Sequence, residues 1–314
     1  MHPCGSHHRP GRFIRWFVAL AAGLTISLLA VVATASSSAT SAPRLGPPFT
    51  SAPIFGAVGP VSSSPMYHLN DFQPRGQDMQ ISKKYFGMHH TDVWFDMLVT
   101  DNSGCYHLTT EDIEQSGYGA PLTEGGLSAG LECSPTGTGQ MVADPGYVPW
   151  LSGSEKLVPG DNVQYTFQSP TTTETVTFGP TSFSWTAANG GRIELHGTLV
   201  APGADWYLSW TSPPAGEPGR MLYGAVYYRV TGTYMGKPVT GYVYVENMWG
   251  DTNYSNTWWV KNRHGHWTFW TDRYADGTQE YGQFLCFDDA AHPRGALITN
   301  NLGQVELKTT NLSL

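Results

Sequence analysis

The residues of this 314-residue chain whose types and spacing suit chemistry gather between Tyr228 and Asp276. Glu246 and Asp251 flank Trp249, and nearby carboxylates are the groups that glycoside hydrolases use as an acid and base pair. If Val239 to Trp249 is extended, the period of two sets Val243, Val245, Asn247 and Trp249 on one face. Tyr242, Tyr244, Glu246 and Met248 fall on the other. Glu246 then points away from Trp249, and Asp251 follows a glycine, so solvated strand-end carboxylates are the commoner outcome. The parity of Asn247 and Trp249 recurs at Tyr274 and Asp276 if the strand there runs on. A carboxyl in an apolar pocket lined by Trp and Tyr has its ionised form disfavoured and can stay protonated near neutral pH. That is what protonating an isolated carbon-carbon double bond requires, with aromatic faces to stabilise the resulting cation. The competing reading is that Asp276-Gly277 is a favoured hairpin-turn dipeptide, whose aspartate would face water.

Other reactive side chains give weaker signals. Trp258, Trp259, Trp267 and Trp270 could form a sugar-stacking platform, although alternating tryptophan in a β protein is more often core. His89-His90 and His264-x-His266 are short histidine pairs that suit turns and surfaces better than a metal site, so no metal is expected. No G-x-S-x-G motif, phosphate-binding glycine loop or dinucleotide fingerprint occurs, and no cofactor is expected. The net charge of -8 leaves no basic patch for nucleic acid.

The elements that must position these residues are strands. Met221 to Asp276 is rich in Tyr, Trp, Val and Thr, with breaks at Met235-Gly236-Lys237-Pro238 and His264-Gly265. Strand sequence also covers Lys84 to Thr100, with Asp101 to Gly104 as a turn, then Asn162–Gln168, Thr173–Phe178 and Ser182–Ala187. Arg192 to Val200, Asp205 to Thr211, Gln279 to Phe287 and a pair from Ala296 to Leu307 complete the set. Ala188 to Gly191 reads as a hairpin turn and Pro213 to Gly219 as a loop. Thr110 to Gln115, acidic behind a threonine cap, is the one candidate helix, and the rest of 109–150 reads as a long loop. The expected fold is all-β, an antiparallel up-and-down barrel or sandwich in two lobes, 66–180 and 181–314.

Charged residues make up 13% of the chain and aromatic residues another 13%, a balance that suits an extracytoplasmic β protein. Arg9, Arg12 and Arg15 precede an apolar run ending in Ala33-Thr34-Ala35, which makes 1–35 an export signal. The run is nearly long enough to span a bilayer, so an uncleaved N-terminal anchor is the alternative. Residues 36–65, rich in Ser, Ala and Pro, read as a flexible linker. In an oxidising compartment Cys105 and Cys133 are the local pair, closing a loop worth roughly 3 kcal/mol, with Cys286 left as a buried thiol.

Tyr227-Tyr228, Gly236-Lys237, Val239, Gly241, then Asn247-x-Trp249-Gly250, resemble the lipocalin-like family that includes acyclic carotenoid hydratases, kievitone hydratase, AttH-type proteins and decalin-forming cyclases. The hydratases pair H-x-W with a downstream Y-x-D; here Asn247 stands in the histidine position, and Tyr274-x-Asp276 follows. The resemblance implies Asp276 and Tyr274 as catalytic residues and Trp249, Asn247, Tyr228 and Trp270 as substrate-binding ones. Two functions follow as expectations. One is an exported barrel that binds an apolar isoprenoid- or polyketide-like molecule and hydrates, isomerises or cyclises it. The other is a non-catalytic secreted β-sandwich that binds glycan or a partner protein through Trp and Tyr.

Overall fold

Alternation of apolar and polar residues, with little helical period, produces strands almost throughout the computed structural model. It describes residues 66–309 apart from 73, 86, 116–121, 134–138, 144–150, 169–172, 188–192, 201–202, 210–219, 251–264, 288–293 and 303. In chain order the first elements are β1 (Met66–Phe72), α1 (Gly76–Met79), β2 (Lys84–Tyr85), β3 (Met88–Asp101), β4 (Tyr106–Gln115), β5 (Leu122–Cys133) and β6 (Gly139–Ala143). Next are β7 (Leu151–Val158), β8 (Asn162–Gln168), β9 (Thr173–Phe178), β10 (Ser182–Ala187), β11 (Ile193–Leu199) and β12 (Gly203–Ser209). The last are β13 (Arg220–Tyr234), β14 (Lys237–Gly250), β15 (Gly265–Arg273), β16 (Gln279–Phe287), β17 (Arg294–Asn300) and β18 (Val305–Thr309).

All strand pairings are antiparallel. The large sheet runs β13-β11-β10-β9-β8-β7-β5-β4-β3-β14, and the pairing of β13 with β14 closes that path into a ring. Closure removes the unpaired edges that would otherwise invite association. β13 manages two neighbours on its other side by length: its C-terminal half pairs with β11 and its N-terminal half with β12, which in turn holds β1. A second sheet, β15-β16-β17-β18, is built from 265–309 alone. The fold is therefore all-β and antiparallel, a barrel as expected, with a second small sheet. β9 and β10 pair across the expected lobe boundary at 180/181, so the large sheet draws on both halves of the chain.

The β13–β14 hairpin turns at Met235 and Gly236, both left-handed (φ 52° and 76°), the backbone of a tight two-residue turn. Glycine takes that conformation without cost and methionine does not. Inside the ring, Phe95, Val99, Tyr165, Phe178, Trp185, Leu195, Val226 and Val243 form one buried core. Each such side chain contributes roughly 1.5–3 kcal/mol.

Strands at 162–168, 173–178, 182–187 and 279–287 take the bounds expected. Thr110 to Gln115 does not form a helix; it lies in β4, paired with β3 on one side and β5 on the other. Two flanking ladders outweigh a capping pattern in a six-residue segment, because helix nucleation is costly and strand pairing satisfies every backbone group. For the same reason 109–150 is not one long loop but carries β4, β5 and β6. The export segment, the linker, the turn at 188–191, the 213–219 loop, Asp251, Trp258 and Trp259 lie outside the described residues.

Candidate functional site

The sequence-predicted residues divide between two places. Asn247 and Trp249 face the interior of the ring and are fully buried. Tyr228 is there too, a core residue whose hydroxyl donates to the Gly179 carbonyl at 2.6 Å and whose ring lies 5.2 Å from that of Phe183. Trp270, half-buried on β15, covers Gly282 of β16 so closely that a β-carbon there would strike its ring. Tyr274 is 46% exposed and donates to Glu280 at 2.6 Å. Asp276 is exposed in the β15–β16 turn, where its Oδ1 accepts the Thr278 N–H at 2.8 Å. Hydrogen bonds from Thr278 hold its carboxyl below the usual range. Turn chemistry thus decides Asp276: it is an ionised surface carboxylate, and the structure does not bring it or Tyr274 to Asn247 and Trp249.

The property expected of an acid is found elsewhere. β3 alternates Val93, Phe95, Met97 and Val99 toward the core with Asp92, Trp94, Asp96 and Leu98 on the outer side. Asp96 lies opposite Tyr244 of β14, which lies opposite Tyr227 of β13, so the three form one row across three strands. One step along, Glu246 lies opposite Trp94 and the small Ala225, diagonal to Asp96. The two carboxyls are hydrogen-bonded to each other and only 3% and 8% exposed. Burial pushes Asp96 up to about 7 and raises Glu246 well above its ordinary value, aided by the charge of its neighbour. Like charges this close cannot both ionise, so the pair retains at least one proton at neutral pH.

Polar support comes from three sides. The Thr110 hydroxyl donates to Asp96 at 2.7 Å, Tyr223 is hydrogen-bonded to Glu246, and the Tyr223 and Tyr244 hydroxyls are 3.2 Å apart. Tyr244 also donates to Gln283 of the small sheet, and Tyr227 to the Gly282 carbonyl. Around them lies an aromatic layer between the sheets. Tyr244 stacks on Phe269 at 4.8 Å with an interplanar angle of 4°, and Tyr227 lies 4.8 Å from Tyr244 and 5.5 Å from Tyr281. A protonated carboxyl beside π faces is the arrangement that can deliver a proton to an alkene and shelter the cation. The sequence reading placed Glu246 away from Trp249 correctly but sought its partner in Asp251. The available signal was Asp96 itself, an acid between Trp94 and Leu98 on one face of the strand.

A second polar group sits on the opposite face of the same strands. The β3–β14 register shifts between Met248 and Trp249, so that His90, not Thr91, faces Trp249. A bulge of this kind re-aims a side chain. The His90 ring stacks on Trp249 at 4.5 Å and 14°, and Tyr85 lies 6.1 Å from the same indole.

No protein-family model matches the chain. No curated protein matches it either. Among solved structures it is similar to a Nitrosomonas europaea protein provisionally described as AttH. The two are 13% identical over 74% of this chain and 72% of that one, with a TM-score of 0.37. At that level the likeness bears on neither polar group.

Proposed function

We propose that this chain is an exported lipocalin-like protein that takes an apolar, unsaturated small molecule of isoprenoid or polyketide type between its two sheets. There the Asp96–Glu246 pair serves as proton donor. The observation that carries the reading is the pair itself: two carboxyls buried side by side against tyrosine and phenylalanine rings, with no cation acting on either among the described residues. Burying such a pair costs stability that two apolar residues would not cost, and perturbed carboxyls of this sort concentrate at functional sites.

The chemistry balances without a cofactor. The pair gives one proton to a carbon of the double bond, leaving a carbocation and a carboxylate hydrogen-bonded to its protonated neighbour. Loss of a proton from an adjacent carbon back to that carboxylate completes an isomerisation; attack by a second double bond or by water, followed by loss of a proton from the resulting carbocation or oxonium to the same carboxylate, gives cyclisation or hydration. Tyr227, Tyr244, Phe269 and Tyr281 present the ring faces that favour the cation.

Export is supported by the signal-like 1–35 segment and by the disulfide bond of Cys105, which suits an oxidising compartment. The test is native mass spectrometry of the exported protein after exposure to a lipid extract of its source. A bound apolar molecule is expected with the wild type and with Glu246→Gln, and its conversion with the wild type only. Absence of any apolar ligand would overturn the reading.

A further inference from the structure

The small sheet and the large one share no strand pairing among the described residues: β15–β18 pair only with each other, and the ring closes through β13 and β14 without them. Side chains join the two sheets. The Tyr244 hydroxyl donates to Gln283 and the Tyr227 hydroxyl to the Gly282 carbonyl, while the rings of Tyr227, Tyr244, Phe269 and Tyr281 pack in the layer between. Separating the sheets therefore breaks no described ladder, and water can take over both hydroxyl bonds. Contiguous units of this kind open as one body at less cost than global unfolding.

Under that layer the Asp96–Glu246 pair is surrounded by groups that suit its protonated form. Thr110 of β4 and Tyr223 of β13 hydrogen-bond to it, and Tyr227 and Tyr244 complete the row that begins at Asp96. Further acids share the neighbourhood: Asp92, buried on the same face of β3, and Asp112 and Glu114 of β4, which stand opposite Trp94 and Asp92. From the small sheet come Phe269, Tyr281 and Gln283, none of them positive. Among the described residues no cation acts on either carboxyl. Arg229, two beyond Tyr227, and Arg273, at the end of β15, are exposed, and Lys308 stands two strands from Gln283 in register. A carboxylate formed here gains no counter-charge from its cover, and water stabilises it only once the sheets part.

We propose that β15–β18 form a proton-controlled cover, seated on the outer face of β3, β14 and β13 while the Asp96–Glu246 pair is protonated and lifted from it as a unit when the pair ionises. Ionisation passes protons to water and leaves charge that solvent alone can stabilise, so each carboxyl that ionises favours the lifted form. Burial raises both carboxyls in the seated form, and lifting returns them toward the ordinary carboxylate range. The seated form is thus fully favoured below neutral pH. It loses ground as pH rises through about 7, by about tenfold per pH unit for each carboxyl. This device does not depend on the chemistry proposed for the pair, because the cover responds to pH with no molecule bound and no reaction.

Hydroxyl-radical footprinting of the exported chain, read residue by residue by mass spectrometry between pH 6 and pH 9, tests the proposal. Modification of Tyr227, Tyr244 and Tyr281, each at most 2% exposed, should rise about tenfold over that range, while Phe95 and Trp185 inside the ring stay protected. Asp96→Asn should weaken the rise, and Asp96→Asn combined with Glu246→Gln should abolish it. A rise shared by Phe95 and Trp185 would be unfolding of the whole chain and overturns the proposal. Protection unchanged up to pH 9 in the wild type, or a rise undiminished in Asp96→Asn, overturns it equally. The wild-type profile and the single variant decide the matter if the double variant fails to fold.

Discussion

Glu246 and Asn247 are consecutive on β14 and open onto opposite sides of the large sheet. Glu246 meets Asp96 in the layer under the small sheet, and Asn247 lies beside His90 within the ring. One strand thus serves two polar groups, each buried and each built with a residue of β3. The period of two makes this unavoidable once β14 is extended and covered on both faces.

Asp96→Asn should change how stability depends on pH. Burial raises the Asp96 carboxyl to about 7, so its stabilising contribution is complete below the unfolded carboxylate range and is lost as pH rises toward and through about 7. The variant removes that loss. Denaturant unfolding should give it a stability gain over wild type of a few kcal/mol at pH 8 and little difference at pH 4, as the size of the shift implies. A gain that grew toward low pH would contradict the burial of a protonated pair.

His90→Phe should do the reverse. Desolvation lowers His90 to about 3, so the wild type is penalised as pH falls below the unfolded histidine value near 6.5 and down toward 3. The difference in unfolding free energy between variant and wild type should widen from pH 7 to pH 4. A constant difference would mean that His90 takes up its proton in the folded state.

Asp101 ties the end of β3 to its surroundings. Its carboxylate accepts from Ser103 N at 2.9 Å and Cys105 N at 3.1 Å, and faces His107 and Lys237 at 3.2 and 3.3 Å. These bonds, that of the Ser103 hydroxyl foremost, hold its carboxyl far below the usual range. Its contribution is present above the unfolded carboxylate value and lost as pH falls below it. Asp101→Ala should cost about 1–3 kcal/mol at pH 7, and less in acid, by urea unfolding at the two pH values.

Cys105 is disulfide-bonded. Extending the β4–β5 register past His107 and Gly130 brings Cys105 opposite Glu132, one residue from Cys133. Non-reducing peptide mapping should therefore recover a link between Cys105 and Cys133. A link from Cys105 to Cys286 would refute that pairing.

Much of the fold was legible because the large sheet is written in period two, as in β8, β9, β10 and β16. Thr110 to Gln115 was misread because a helix cap and a strand flanked by two ladders use the same threonine and acids, and only pairing decides between them. The site was less legible. Glu246 could be placed on the face away from Trp249, but its partner Asp96 lies 150 residues earlier, and only the closure of β3 onto β14 brings them together. His90 was hidden twice over: by distance, and by a bulge that reverses the face its position would otherwise give it. At Asp276 two readings competed for Asp-Gly, and the residue lies in the local turn.

The central claim is that the Asp96–Glu246 pair delivers a proton to carbon. The most direct measurement incubates the protein, loaded with the apolar molecule it takes from a lipid extract, in deuterium oxide and follows the mass of that molecule. The account predicts deuterium bonded to carbon with the wild type, and its loss in Asp96→Asn and Glu246→Gln with the molecule still bound. Label incorporated equally by all three proteins, or by none while the molecule remains bound, would contradict it.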